Sequence, residues 1–269
     1  MKKNKYINQR ALKDIIESNK SYKLYMMLGW QDILQRYRRS VLGPLWLTLS
    51  MGVMIGTMGL VFGNILNAPI SEYFPFLAVG LILWTFISTV ISEGCTVFIS
   101  ADSLIKQLPL PIFMHVLRMI WRNIAIFFHN MIIFLVILIF TPNIFITKST
   151  FLFFPGFIIL ILNLLWISLI LGILCTRYRD LPQIINSILQ VLFYITPIVW
   201  LPNLMKGRAS AYFLDLNPMF HLMDVVRSPL LGGASSLVSW QVVIAMAIIG
   251  WLLAILVFTR YRARIAYWL

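Results

Sequence analysis

Charge is scarce in this sequence. Only 12% of its 269 residues are Asp, Glu, Lys or Arg, about half the share of a soluble domain, while 60% are hydrophobic. The nine acidic residues include none in the middle of a long apolar run, and no Lys or Arg falls there either. Ionisable groups at membrane depth mark ion and proton pathways, so their absence argues against an ion-coupled transporter. It also argues against an enzyme that needs paired carboxylates within the bilayer. Three histidines, His115, His129 and His221, stand on separate segments, which makes a zinc site a poor fit. Cys95 and Cys175 are the two cysteines; both fall near helix ends expected in the cytoplasm, as reduced thiols. No G-x-x-x-x-G-K-[ST] loop is present, so nucleotide phosphate has no cradle of the usual kind. The first 44 residues are mostly polar, and a cleavable signal peptide is not expected.

Long apolar runs are what the chain has in place of these. Twenty helical residues at about 1.5 Å each cover the ~30 Å hydrocarbon core of a bilayer. Six runs approach that length: 41–63, 73–92, 119–140, 151–176, 184–201 and 238–259. The expected fold is an all-α membrane protein of six transmembrane helices, a single domain over 1–269, with 1–40 as an N-terminal segment and 41–269 as the bundle. The charges orient it. Of 22 Lys and Arg, only Lys148, Lys206, Arg208 and Arg227 fall on the side opposite the termini, a strong positive-inside bias. That distribution accounts for the net charge of +13 without nucleic acid, and six crossings place both termini in the cytoplasm.

Between 12 and 37 a helical pattern appears. Tyr22, Met26, Trp30, Ile33 and Tyr37 form one stripe, with Lys23, Asp32, Gln35, Arg36 and Arg39 mostly off it. A basic, aromatic amphipathic helix of this kind lies on a membrane surface; packing against another protein domain is the alternative. Residues 1–10 read as a basic tail. A short cytoplasmic helix is expected over 101–108, capped by Ser100 or Asp102 and stopped by Pro109 and Pro111. The connection 202–236 is too apolar for a solvated loop and too rich in Pro and Gly for a span. It reads as short re-entrant helices on the outer side between spans 5 and 6, shielded by protein or a water-filled cavity.

Four motifs occur in order: RYRRSVLGPLWLTLS at 36–50, LIKQLPLP at 104–111, RYRDLPQI at 177–184 and TPIVW at 196–200. With the six spans, the chain resembles the membrane subunit of ABC-2 type exporters, in particular the permeases that export O-antigen, capsule and teichoic acid. The resemblance covers nearly the whole chain and implies a homodimer docked on two separate ATP-binding cassette subunits. No cofactor would bind this chain, since ATP and Mg would sit in the partner subunit. Asp102, Leu104 and Lys106 would lie on a coupling helix in the ATPase groove, unless that loop is merely solvated. Arg177, Arg179 and Asp180 match a second cytoplasmic corner. They serve equally to complement the helix dipole, with Asp180 paired to either arginine. Tyr212, Phe213 and Phe220 fall on the family's external gate helices.

The implied cargo is a polysaccharide on a polyprenyl pyrophosphate lipid, moved across the inner membrane. Sugar rings offer C–H faces to aromatic rings and hydroxyls to hydrogen-bonding groups. Trp46, Trp84, Phe86, Phe193, Tyr194 and Trp200 are candidates for such a pathway, although aromatic residues also collect at membrane interfaces in general. Arg36, Arg38 and Arg39 either receive the lipid pyrophosphate, since Arg matches phosphate with a planar fork, or anchor the chain to anionic lipid. A drug or lipid cargo, or a membrane-embedded glycan or lipid transferase, are the competing functions.

Overall fold

A computed structural model describes residues 2–36, 38, 43, 45–66, 69–141, 147–202 and 214–269, with side chains from residue 11 and without that of Arg36. The described residues are helical and contain no strand. In chain order the described helices include α1 (Lys2–Lys20), α2 (Tyr22–Arg36), α3 (Leu45–Ile65), α4 (Ile70–Thr96), α5 (Asp102–Gln107), α6 (Phe113–Phe140), α7 (Phe153–Arg177), α8 (Leu181–Ile195), α9 (Pro218–Leu230) and α10 (Leu237–Trp268), with a 3-10 turn at Lys148–Leu152 before α7.

Five of these, α3, α4, α6, α7 and α10, are long and apolar enough to cross a membrane; the chain is a multi-pass membrane protein. The expected span at 184–201 is the exception. Its helix, α8, has 15 residues and stops at Ile195. Thr196 is extended at φ −83, ψ 135, the conformation favoured before proline, and Pro197 has no N–H to continue the ladder.

α4 is the centre of the bundle. All but a few of its residues from Tyr73 to Cys95 are buried, against α3, α6, α7, α8 and α9. Small residues let α4 and α7 approach closely, as they do in membranes generally. A Cβ on Gly94 would meet Ser168 Oγ at 2.8 Å, and one on Gly172 would meet Val97 at 2.8 Å and the Gly94 carbonyl at 3.1 Å. Cys95 and Cys175, on these two helices, are free thiols and buried. α3 is held more loosely. Leu45, Leu49, Val53, Leu60, Val61 and Ile65 on it are exposed, as suits a surface whose solvent is lipid.

The N-terminal region differs from its expected form. Two helices replace one, and residues 2–10 belong to the first. The break falls at Ser18-Asn19-Lys20-Ser21, where Asn19 Nδ2 donates to the Ile15 carbonyl at 2.9 Å and Ser21 Oγ to the Glu17 carbonyl at 2.9 Å. Such side chains compete with the helical ladder. α2 turns Gly29, Asp32 and Ile33 onto α6 and leaves Tyr22, Met27, Trp30 and Leu34 exposed.

Asp14 decides where α6 begins. The helix starts at Phe113, six residues before the expected 119, because the backbone N–H groups of Ile112 and Phe113 donate to Asp14 Oδ2 and Oδ1 at 3.1 and 3.0 Å. These are donors that a helix start leaves open. Arg262 of α10 donates to the same carboxylate, through Nε at 2.7 Å and Nη2 at 2.6 Å. One residue, 2% exposed, thus joins α1, α6 and α10.

Candidate functional site

Trp84, Ser88 and Ser92 recur at steps of four, so they share one face of α4. Opposite them, Asn186, Leu189, Gln190, Phe193 and Tyr194 share a face of α8. Together these eight residues line a groove of about 740 Å³. Trp84 and Phe193 face each other across it with ring centroids 5.8 Å apart, and Phe193 meets Tyr194 edge-on at 5.4 Å. Tyr194 is 76% exposed. At the other end Ser92 Oγ donates to Asn186 Oδ1 at 2.6 Å. The lining has no acid, base or nucleophile–base pair. It offers aromatic faces and uncharged hydrogen-bonding groups, which suits a polar, ring-bearing ligand that slides rather than reacts.

Three of the six aromatic candidates therefore come together. A fourth, Trp200, reaches them through its indole N–H, which donates to the Tyr194 carbonyl at 3.2 Å. Phe86 turns away: it is buried among Phe127 and Phe157, with centroids 5.2 and 5.7 Å distant. Trp46 sits at the start of α3, exposed and outside the groove.

Polar groups fix the C-terminal end of α8. Tyr73 Oη donates to the Val199 carbonyl at 2.6 Å, Asn217 Nδ2 to Thr196 Oγ1 at 2.9 Å, and Arg227 Nη1 to the Pro197 carbonyl at 2.6 Å. Arg227, 3% exposed, also lies over the Phe76 ring at 4.4 Å. Burial pulls its pKa down to about 10, with nearby Asp224 opposing, so it stays charged at neutral pH. Sequence reasoning placed Arg227 merely on the outer side. The available signal was Asp224 three residues earlier, one helical step away. Asp224 itself accepts from Ser228 Oγ and from the Ser236 N–H.

Among the described residues, the connection between α8 and α10 contains one helix of length, α9, buried from His221 to Arg227. His221 Nδ1 pairs with Ser239 Oγ at 3.0 Å and Nε2 with the Asp215 carbonyl at 2.8 Å. Phe220 lies on α9 with its ring against His221. Tyr212 and Phe213 lie outside the described residues, as do Arg39 and the side chain of Arg36; Arg38 is exposed.

An ion-pair lattice closes the opposite end. Asp32 of α2 pairs with Arg118 and with Arg122, the latter at 3.2 Å. Arg122 Nη2 also donates to Glu93 Oε2 of α4 at 2.7 Å, and Asn123 Nδ2 to the same oxygen at 2.6 Å. Because α6 starts early, Arg122 lies in its third turn and not in its first. A cavity of about 330 Å³ adjoins the lattice, and His115 lines it. Sequence reasoning put Asp32 mostly off the aromatic stripe assigned to the membrane surface. Its hydrogen bonds show that it faces inward, and no local pattern announces that. Asp32→Asn is expected to cost about 1–3 kcal/mol, the scale of a charged hydrogen bond left partly unmet, read as a lower unfolding temperature of the purified chain.

α5 lies beside this lattice. Its cap is Ala101, without a side-chain hydrogen bond, so neither Ser100 nor Asp102 caps it. Ser100 Oγ donates instead to the Val97 carbonyl, and Asp102 pairs one turn on with Lys106 at 2.9 Å. Leu104 is half-buried. At the second corner Arg177 stacks over the rings of Tyr178 and Trp268, at 5.2 and 5.5 Å. Arg179 and Asp180 are exposed in the turn. Among the described residues Asp180 makes no ion pair with either arginine, since Arg177 is drawn to the end of α10. No group of three His, Cys, Asp or Glu gathers into a metal site among the described residues.

The chain belongs to the ABC-2 type transporter family, whose pattern matches residues 23–231. It is similar to the O-antigen export system permease protein RfbA of Myxococcus xanthus, 26% identical over 204 residues, which is 74% of this chain and 77% of that protein. It is also similar to the protein of the same name from Klebsiella pneumoniae, 21% identical over 248 residues, 91% of this chain and 94% of that one.

Proposed function

We propose that this chain is the permease subunit of an ATP-driven exporter that moves a lipid-linked polysaccharide outward across the bacterial inner membrane. The observation that carries the reading is the uncharged groove between α4 and α8, with Trp84, Phe193 and Tyr194 beside Ser88, Ser92, Asn186 and Gln190. Aromatic faces and hydroxyl partners in one track are what a sugar polymer needs, and the two named relatives are O-antigen export permeases. Two copies of this single domain pair, both termini stay in the cytoplasm, and two ATP-binding cassette subunits bind ATP and Mg below. The cargo carries a polyprenyl pyrophosphate. α2 lies on the membrane surface through Tyr22, Met27, Trp30 and Leu34, α8 completes the sixth crossing, and α9 dips into the outer leaflet.

The test is export of labelled polysaccharide from vesicles holding the chain and its ATPase. ATP-dependent export is expected, with Trp84→Ala and Tyr194→Ala each lowering the rate about tenfold. Export that persists without the ATPase would refute the reading. Surface polysaccharide left unchanged by deletion of the gene would shift the cargo to a drug or a lipid.

α5 is the coupling element in this reading. Inserting two glycines after Ser103 interrupts a helix of only six residues. Transport is expected to fall to background while membrane insertion and ATP hydrolysis continue. Unchanged transport would place the coupling elsewhere.

A further inference from the structure

A second cavity, of about 320 Å³, lies between α3, α4 and α6, and its lining includes the exposed residues Ser50 and Met54 of α3. Its walls are largely apolar: Met51 and Met54 of α3, Ile82 and Phe86 of α4, Ile126 and Phe127 of α6. One wall carries Asn130. The residue is 5% exposed, and its Oδ1 is buried without a hydrogen-bond partner among the described residues. The polar neighbours do not serve it. Asn123 Nδ2 is taken by Glu93 and by the Met119 carbonyl, and Ser50 Oγ donates to the Trp46 carbonyl at 2.8 Å. Thr85 and Thr89 of α4 also line the cavity, and neither is the partner of that Oδ1.

An unpaired amide at membrane depth is costly, because no bulk water is there to satisfy it. The cavity also has the form of a small-molecule site, a mainly apolar hollow with a small number of polar groups, here Ser50, Thr85, Thr89, Asn123 and Asn130. We propose that it binds an aliphatic alcohol, with the hydroxyl on Asn130 and the hydrocarbon chain between Met51, Met54 and Phe127. The chemistry selects this class. Turning the amide by half a turn exchanges its acceptor for its donor, and a hydroxyl satisfies either arrangement. An ammonium satisfies only one, and it brings a charge into a cavity whose lining holds no acid. Access is through α3, the span with the smallest buried share.

The experiment uses the full chain in nanodiscs of phosphatidylethanolamine and phosphatidylglycerol, labelled with the photoreactive alcohol 3-azioctanol and mapped by mass spectrometry. Adducts are expected on Met51, Met54, Ile126 or Phe127, reduced at least fivefold by excess 1-octanol. Labelling of the exposed α10 residues Leu252, Leu253 and Leu256 should not respond. Asn130→Leu should lower cavity labelling at least fivefold. Met54→Trp should do the same by filling the space while Asn130 remains, which separates binding from a folding defect. Three results would overturn the assignment. One is labelling equal to that of α10 and indifferent to octanol. Another is equal cavity labelling by a diazirine alkane without a hydroxyl. The third is no cavity adduct, which would leave Asn130 to a bound water or to a second copy across the mouth.

Discussion

Asp14→Ala is expected to destabilise the chain by about 3–5 kcal/mol, the scale for removing one partner of a buried ion pair. The substitution leaves the Ile112 and Phe113 N–H groups without an acceptor and Arg262 without its carboxylate, all in one place. The measurement is thermal aggregation of the detergent-purified chain followed by size-exclusion chromatography. Asp14→Asn should recover part of the loss, since its amide oxygen still accepts one backbone N–H. Lys13→Ala, one residue away, is the control. Its pairing with Glu17, at 3.6 Å, is between exposed groups, and such surface changes stay within about 0.5 kcal/mol. If Asp14→Ala melted with the wild type, the three-way junction would not be holding α1 in place.

Gly156→Val carries the second large effect. A Cβ at Gly156 would lie 2.2 Å from the Val225 carbonyl oxygen and 3.0 Å from its carbon. Both are backbone atoms of α9, so no rotamer change can relieve the clash. Overpacking in a core costs about 1–3 kcal/mol where side chains can adjust; here a whole helix must move, and a larger loss is expected. α9 would be displaced together with Arg227, and with it the tether on Pro197 that ends α8. The expected result is a chain that inserts but elutes as aggregate. Gly56→Ala on α3 is the comparison, because nothing lies within 4 Å of its added carbon and alanine suits a helix. A monodisperse Gly156→Val chain as heat-stable as Gly56→Ala would contradict the close approach of α7 and α9.

The long helices were legible because hydrophobic length is a local property: 73–92 and 151–176 lie within α4 and within the 3-10 turn with α7. The end of α8 was legible in principle from Thr196-Pro197, yet the apolar Ile198, Val199 and Trp200 masked it. What escaped was pairing over distance. Asp14 and Arg262 stand 248 residues apart, and nothing in either neighbourhood names the other. The partners of Asp32 escape for a related reason. The aromatic stripe of α2 reads as a membrane-facing side, and nothing in it announces that Gly29, Asp32 and the stripe's own Ile33 turn onto α6. Within the groove, Trp84, Phe193 and Tyr194 could be proposed from residue type, but Phe86 could not be separated from them. Only two steps along α4 lie between Trp84 and Phe86, and that rotation of about 200° sends one ring to the track and the other to the core.

The way α8 is held has a mechanical corollary. α4, one wall of the groove, is locked into the bundle along most of its length, whereas most of α8 is bare except where it leans on α4 and lightly on α7. The groove is thus a vice with one fixed jaw. A swing of α8 about the tethered bends at 196–200 would widen it without prising apart the seam at Gly94, Ser168 and Gly172. If the groove is the cargo path proposed above, bulky and slender passengers would then share it at small energetic cost to the rest of the protein.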